Sequence, residues 1–200
     1  MAAIGLMGGT FDPIHYGHLI LAEQAREKFS LDKVLFVTAA NPPHKTNQIV
    51  TDAGHRYKMT CLAVKCNESF EASTIEIDRE GPSYTIDTVK QIHRLYGDTT
   101  RVYLLVGADE ARDFMTWRDP YGIQELATVV VANRPGMPVA QSLAVLPKDF
   151  AERVMPLEMP GVDISSTDLR ERVSMNRSIR YLVPDSVGKY IWECGLYRGK

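Results

Sequence analysis

Residues 8–18 read GGTFDPIHYGH, and this stretch indicates the fold class more than any other. It follows residues 2–7, an apolar run that ends in glycine as a buried strand does. It precedes residues 16–29, where Leu21, Ala22 and Ala25 recur on one face of a helix. The sequence therefore predicts a strand that turns through glycine into a helix.

The same stretch has the chemistry of an anion site. Paired glycines let the backbone approach a ligand closely, and a helix start offers free N–H groups to phosphate. His15 and His18 are three residues apart, so both can face one ligand, and each can be charged when protonated. Two other interpretations stay open: a tight turn with surface histidines, or a metal site built on the two imidazoles. No Gly-Lys-Ser/Thr follows, and the Gly-x-Gly-x-x-Gly fingerprint is missing, so the run is neither a P-loop nor a dehydrogenase motif.

The rest of the chain alternates short apolar runs with helical patterns. Continuous apolar strands between helices predict an α/β fold, a Rossmann-like parallel sheet with helices on both faces. Strands are expected at residues 33–40, 70–77, 101–106, 128–132 and 155–159. Ligands of such folds bind beyond the carboxyl ends of the strands. We expect one domain, 1–200, whose C-terminal helical part (about 165–200) packs on the sheet.

Composition narrows the function classes. The chain has 200 residues, 44% hydrophobic and 24% charged, with a formal net charge of −2, so a broad nucleic-acid or membrane surface is not favoured. No apolar stretch is long enough to cross a bilayer, and we expect a cytoplasmic protein. Cys61, Cys66 and Cys194 are too widely spaced for a typical zinc site and are expected to be buried, reduced thiols.

A second motif lies near the other end of the chain, ISSTDLR at residues 164–170. Ser165 or Ser166 is suited to cap a helix, and Thr167 adds a hydroxyl to its first turn. The planar guanidinium of Arg170 matches phosphate oxygens. The alternative is an ordinary capped surface helix. Two helix starts, one with histidines and one with hydroxyls and arginine, could hold a triphosphate between them.

Together the two motifs resemble those of the nucleotidylyltransferase superfamily, with its HIGH-type αβα fold. The pattern Gly-x-Phe-Asp-Pro-x-His-x-Gly-His is complete from Gly9 to His18, and Ser-Ser-Thr-x-x-Arg is complete from Ser165 to Arg170. Further segments are similar to the bacterial nicotinate-nucleotide adenylyltransferase family, nearly end to end: residues 41–45 (NPPHK), 83–85 (SYT), 107–109 (GAD), Phe114 with Trp117, and 133–136 (NRPG).

This resemblance implies that ATP and nicotinic acid mononucleotide give deamido-NAD and pyrophosphate, with Mg²⁺ accompanying ATP. It implies catalytic roles for His15, His18 and Arg170. The residues that it places at ATP are Gly8, Gly9, Thr10, Phe11, Ser166 and Thr167.

For the mononucleotide, the resemblance indicates Lys45, Tyr84, Thr85, Gly107, Asp109, Trp117 and Arg134. Trp117 could stack on a pyridine ring or pack in the core. Arg134 could reach a phosphate or pair with a carboxylate. His44, His55 and His93 have no role that the sequence assigns, and nothing in the sequence decides between a monomer and a homo-oligomer.

Other functions remain open at this stage. A sister adenylyltransferase could use nicotinamide mononucleotide or phosphopantetheine as acceptor, and a cytidylyltransferase shares the first motif. A non-catalytic nucleotide sensor on the same fold is the alternative from another class, although it would have no need of His15, His18 and Arg170 together.

Overall fold

Six parallel strands form one sheet in the computed structural model, which describes residues 1–42 and 50–198. The strand order is β3-β2-β1-β4-β5-β6, and every pairing is parallel. This is the order of doubly wound dinucleotide-binding folds. The predicted fold class is confirmed. The strands are β1 (Ala3–Gly9), β2 (Lys33–Thr38), β3 (Phe70–Ser73), β4 (Arg101–Gly107), β5 (Thr128–Ala132) and β6 (Met155–Leu157).

Helices cover both faces of the sheet. Those described are α1 (Tyr16–Phe29), α2 (Ala53–Val64), α3 (Thr85–Tyr96), α4 (Ala108–Ala111), α5 (Pro120–Leu126), α6 (Val139–Leu143), α7 (Lys148–Ala151), α8 (Ser166–Ser174) and α9 (Asp185–Glu193), with a 3-10 turn at Phe114–Thr116. None of the helices within residues 1–42 and 50–198 combines the length and apolar content needed to cross a membrane.

Side chains of each strand alternate between two hydrophobic clusters. In β1, Ala3 and Met7 face the cluster under α1, α2, α8 and α9, whereas Ile4 and Leu6 face the cluster under α3 and α5. This period of two is what an extended chain imposes when both faces of a sheet are buried. Helices α8 and α9, from the predicted C-terminal helical part, thus contribute to the same core as the first helix.

The starts of α2 and α8 are each capped by a side chain, and the cap of α8 is the one expected from the sequence. The Asp52 carboxylate accepts a hydrogen bond from the Gly54 N–H at 2.8 Å before α2, and the Ser165 hydroxyl accepts one from the Asp168 N–H at 3.1 Å before α8. Of the two candidate serines, Ser165 is therefore the cap, which leaves the Ser166 side chain available for another contact.

Several expectations were wrong in detail. The second strand ends at Thr38 and not at residue 40, and the sixth ends at Leu157 and not at residue 159. The third strand ends at Ser73 and not at residue 77, because residues 74–78 turn back on themselves through a hydrogen bond from the Asp78 N–H to the Thr74 carbonyl. The cysteines are not buried: Cys66 and Cys194 are exposed and Cys61 is half-buried. Cys66 and Cys194 lie just past the last residues of α2 and α9, where the chain leaves the packed face.

Strand order reverses between β1 and β4, and the carboxyl ends of these two neighbours lie side by side. Residues 8–18 leave the sheet from β1, and Gly107–Asp109 follow β4. A crevice opens at such a point because the two connections run to opposite faces of the sheet. The topology therefore gathers the sequence motifs at one edge.

Candidate active site

Two adjoining cavities open at this edge of the sheet. The larger cleft, about 340 Å³, is lined by the end of β1, by the start of α3 and by Trp117. The smaller pocket, about 60 Å³, is lined by His15, His18 and the segments that follow β4 and β5. Glu110 borders both cavities, so they are neighbours.

The two glycines at the end of β1 differ in their surroundings, because Gly9 is packed against a ring and Gly8 faces open space. A Cβ on Gly9 would stand 2.6 Å from the Phe11 ring, so the fold itself requires glycine there. A Cβ on Gly8 would meet no described atom within 4 Å and would project into open space beside the larger cleft. The sequence suggested that both glycines let a ligand approach the backbone closely, but only Gly8 has the open space for this.

Phe11 was expected at ATP but is buried, with 2% of its surface exposed. Its backbone is left-handed (φ 49°), which turns the ring inward against Phe36 and edge-on to the His18 imidazole, with ring centres 5.1 Å apart. Phe11 supports His18 from beneath and has no exposed face for a nucleotide.

His15 and His18 form a stacked pair at the start of α1. Their ring centres are 3.7 Å apart, and His18 Nδ1 accepts a hydrogen bond from the His15 backbone N–H at 3.2 Å. A Cβ on Gly17 would stand 3.0 Å from the His15 ring, so the glycine between the histidines makes room for the stack. Both imidazoles line the smaller pocket, as the spacing predicted.

The His15 imidazole is neutral at physiological pH in this state. Burial, followed by the positive charge of Arg134, lowers the pKa of His15 to about 3. Within the described chain its Nδ1 has no hydrogen-bond partner although the side chain is 2% exposed. A buried polar atom of this kind usually has a partner. His15 is thus suited to hydrogen-bond a ligand, whereas the sequence had suggested a charge.

Helix α8 is bound directly to the β1 loop. The Ser166 hydroxyl donates to the Pro13 carbonyl at 2.9 Å, and Arg170 Nη1 donates to the Asp12 carbonyl at 2.8 Å. Arg170 Nη2 also reaches the Thr167 hydroxyl at 3.3 Å. The two motifs, about 150 residues apart in the sequence, therefore form one assembly, with Thr167 exposed and Arg170 half-buried at its border.

Two side chains that the sequence did not single out hold the β1 loop: Arg56, which is buried, and Tyr197, which is half-buried. Arg56, 1% exposed, donates to the carbonyls of Thr10, Ala39, Ala40 and Thr51. Burial lowers the pKa of Arg56 and the Asp12 carboxylate opposes that shift, but a guanidinium keeps its charge in proteins. Arg56 lies three residues before the buried Met59 in α2, and a charged residue at helical spacing from an apolar one is the signal that could have found it. The other, Tyr197, bonds the Asp12 carboxylate, and no sequence pattern points to it.

The larger cleft has an aromatic wall. Trp117 stacks on Phe114 with ring centres 4.6 Å apart, and Phe114 is buried while Trp117 is half-buried and lines the cleft. Trp117 thus packs on one side and offers surface on the other. Tyr84 and Thr85 line the same cleft at the start of α3, and the Arg118 guanidinium lies 4.7 Å from the centre of the Tyr84 ring.

A polar network supports the start of α3 below the cleft. The Thr88 hydroxyl donates to the buried Glu76 carboxylate at 2.6 Å, and Arg79 Nη2 donates to the same hydroxyl oxygen at 3.1 Å. The Ser83 hydroxyl accepts from the N–H groups of Ala40 and Asn41. Glu76, Ser83 and Thr88 line the cleft. Glu76 and Thr88 were missed because they belong to no recognised motif, and Ser83 belongs to the SYT segment but was given no role of its own.

The structure divides the predicted nucleotide-binding residues differently from the sequence. Gly107, Asp109 and Arg134 were grouped with Tyr84 and Trp117, but they line the smaller pocket with the histidines. Conversely, Gly8, Gly9 and Thr10 line the larger cleft. Arg134 pairs with Asp109 at 2.7 Å, which decides between the two contacts considered for Arg134 in this state.

Three further positions complete the comparison with the sequence. Lys45, and His44 beside it, lie outside the described residues. His55 Nδ1 is 2.8 Å from the Tyr190 hydroxyl, and His93 Nε2 is 2.8 Å from the Leu126 carbonyl. These two histidines join helices and do not face either cavity.

Side chains that could bind a metal ion do not cluster in the described part of the chain. Among residues 1–42 and 50–198, no group of three or more His, Cys, Asp or Glu side chains is arranged to hold a metal ion. Mg²⁺ commonly binds through substrate phosphates with few protein ligands, so the described side chains are compatible with an ion that arrives on ATP.

Known proteins share this sequence and fold. The model of the cytidylyltransferase-like family matches residues 6–172. A protein of Thermoanaerobacter sp. described as a probable nicotinate-nucleotide adenylyltransferase is 48% identical over 198 residues, 98% of this chain and 94% of the relative. The chain belongs to the nicotinate-nucleotide adenylyltransferase family. The family predicted from the two motifs together with the further segments is confirmed.

Other members and structures agree with this assignment. A family member from Thermus thermophilus is 48% identical over 195 residues, covering 98% of this chain and 99% of its own. The solved structure of a Plasmodium falciparum nicotinic acid mononucleotide adenylyltransferase, complexed with NaAD, superposes with a TM-score of 0.79 over 98% of each chain at 16% identity. At that identity the likeness supports the fold, and the family rests on the bacterial sequences.

Proposed function

We propose that the chain transfers the adenylyl group of ATP to nicotinic acid mononucleotide, giving deamido-NAD and pyrophosphate. The observation that carries this proposal is the pair of adjoining cavities at the β1–β4 switch point, one with an aromatic wall and one with the stacked imidazoles. Two nucleotides bound side by side there would meet over the β1 loop. The names of the bacterial relatives, and the NaAD with which the Plasmodium enzyme is complexed, support the same reaction.

The larger cleft is the proposed site of the acceptor. Trp117 offers a flat surface for a pyridine ring and is held from behind by Phe114. The first turn of α3, at Thr85, presents backbone N–H groups and the positive end of a twelve-residue helix. An acceptor with both a carboxylate and a phosphate is therefore better suited to this cleft than a neutral flat molecule.

The proposed ATP site extends from the smaller pocket to helix α8. His15 and His18 stand at the start of α1, and Thr167 and Arg170 at the start of α8. Both helix starts have positive partial charge where a triphosphate would lie. Arg134, paired with Asp109, adds a cation to the lining of the smaller pocket.

The reaction needs positioning and charge stabilisation more than acid–base chemistry. An oxygen of the acceptor phosphate, already an anion, forms a bond to the α-phosphorus of ATP while the bond from that phosphorus to the β-phosphate oxygen breaks. Negative charge builds up on the phosphates, and fixed donors in a site with little water stabilise it. In this proposal His18 and Arg170 stabilise that charge, and His15 contributes a hydrogen bond. Mg²⁺ bound to ATP would further neutralise the phosphates.

Pyrophosphate release from the purified protein tests the proposal. The assay contains ATP and Mg²⁺ and compares nicotinic acid mononucleotide, nicotinamide mononucleotide and phosphopantetheine as acceptors. Fast release with the first acceptor alone is the expected result. Equal release with nicotinamide mononucleotide would overturn the stated acceptor preference, and release with phosphopantetheine alone would indicate the sister activity. Binding of ATP without release with any acceptor would favour a nucleotide sensor.

The proposed compartment is the cytoplasm, where thiols stay reduced. Cys61, Cys66 and Cys194 are all free, in keeping with that setting.

A further inference from the structure

Tyr197, which follows helix α9, reaches the loop after β1. Its hydroxyl donates a hydrogen bond to Asp12 Oδ1 at 2.6 Å, joining two residues 185 positions apart in the sequence. The Tyr197 backbone is left-handed (φ 62°), a conformation that non-glycine residues seldom adopt. The surrounding structure therefore holds Tyr197 in an unusual geometry that brings its phenol to Asp12.

Asp12 is a buried junction, 3% exposed, between three parts of the chain. Its Oδ1 accepts from Tyr197, and its Oδ2 accepts from the Thr51 N–H at 3.2 Å. Its backbone carbonyl accepts from Arg170 Nη1 at 2.8 Å. The guanidinium of Arg170 is therefore aimed by the Asp12 main chain, and that main chain is fixed in place by its own side chain.

The Tyr197 phenol is well suited to be a permanent donor. Burial, followed by the charge of the Asp12 carboxylate, raises the pKa of Tyr197. The hydroxyl therefore keeps its proton at any physiological pH. A buried carboxylate that loses one of its two donors moves toward water or toward another partner, and the attached carbonyl would move with it.

We propose that Tyr197 is a positioning residue for adenylyl transfer, acting through Asp12 to aim Arg170 at the phosphates. That Arg170 binds the phosphates rests on the proposed function. The contacts among Tyr197, Asp12 and Arg170 do not depend on it. Displacement of a catalytic group by about 1 Å can cost about a hundredfold in rate, so a small shift of Asp12 is enough to be measured.

The kinetic test compares Tyr197→Phe with Tyr190→Phe. Both changes remove one phenol oxygen from the same region of the chain, and Tyr190 loses a hydrogen bond of similar length, 2.8 Å to His55, that does not reach Asp12. We expect Tyr197→Phe to lower kcat about tenfold, with the KM values for ATP and acceptor changed less than about twofold. Tyr190→Phe should keep the wild-type kcat. Each variant is measured well below its own unfolding temperature.

A double-mutant cycle separates positioning from general structural support. If Tyr197 acts through Arg170, adding Tyr197→Phe to Arg170→Ala costs nothing further in kcat, because the group being aimed is already gone. Independent, multiplicative losses would overturn the inference. So would an unchanged kcat in Tyr197→Phe, or an equal loss in the Tyr190→Phe control.

A measurement without substrates keeps the test independent of the proposed reaction. The Nε–H signal of Arg170 in a ¹⁵N NMR spectrum, assigned with Arg170→Lys, is expected to shift in Tyr197→Phe and to stay in place in Tyr190→Phe. An unmoved signal in Tyr197→Phe would overturn the inference whatever the activity. If the signal shifts but the protein releases no pyrophosphate, the coupling of Tyr197 to Arg170 is supported and the proposed function is rejected.

Discussion

Substituting alanine for each of the paired glycines at the end of β1 should separate binding from folding. In Gly9→Ala the new Cβ lies 2.6 Å from the nearest carbon of the Phe11 ring and within 3.0 Å of two more. That ring is buried between Phe36 and His18, so it cannot turn aside without moving one of them. In Gly8→Ala the new methyl meets no described atom within 4 Å.

The expected magnitudes follow from these contacts. Extra volume in a packed interior costs about 1–3 kcal/mol, which for a chain of this size lowers Tm by roughly 2–12 °C. Gly9→Ala should also lower turnover, because Phe11 transmits the displacement to His18. Gly8→Ala should stay within about 1 kcal/mol of wild type in unfolding free energy. Its methyl projects into the open space beside the larger cleft, where we expect it to meet a substrate. The value of kcat/KM should therefore fall about tenfold or more, the scale of one misplaced carbon in a binding pocket.

The assay combines thermal unfolding by calorimetry with pyrophosphate-release kinetics in which ATP and acceptor are varied separately. The substrate whose KM rises in Gly8→Ala is the one that passes Gly8. The reasoning fails if Gly9→Ala unfolds at the wild-type temperature, or if Gly8→Ala is as unstable as Gly9→Ala. It also fails if Gly8→Ala keeps both KM values, because no ligand would then approach that methyl.

Three further predictions concern charges around the two cavities. The pKa of His15 is lowered to about 3 from an ordinary 6.5, so between these pH values the unfolded chain binds a proton at His15 and the folded chain does not. The free energy of unfolding should therefore fall as pH drops from about 6.5 toward 3, by up to ~1.4 kcal/mol per pH unit. Urea titrations of His15→Asn should show a smaller decline. His18→Ala should lower kcat roughly ten- to thousandfold and destabilise by about 1 kcal/mol through loss of the His15 N–H acceptor; a folded variant with full turnover would contradict its role. Among the described residues lining the larger cleft, Arg118 is the only cation. Arg118→Gln should therefore raise KM for nicotinic acid mononucleotide several-fold more than KM for nicotinamide mononucleotide, whereas Arg112→Gln, outside that cleft, should change neither KM. An equal rise of KM for both acceptors would show that Arg118 does not discriminate between them.

The sequence predicted the fold and the family because both depend on local patterns. Helix α1 spans the predicted residues 16–29, and β5 the predicted 128–132, since apolar periodicity and glycine or proline punctuation act within a few residues. The GGTFDPIHYGH and ISSTDLR motifs are likewise short, and their spacing is enough to place them at helix starts. The third strand was predicted too long because partial alternation does not reveal a local turn.

What the sequence could not determine are the partners of each site residue. The sequence separated neither Gly8 from Gly9 nor the two cavities, because which side chain fills a space depends on residues that are distant along the chain. The stacking of His15 on His18 and the burial that lowers the pKa of His15 exist only once α1 is packed. The junction at Asp12 joins residues up to 185 positions apart. Local propensity determines which elements form, whereas burial and long-range hydrogen bonds, which only the tertiary structure creates, decide how each side chain is aimed.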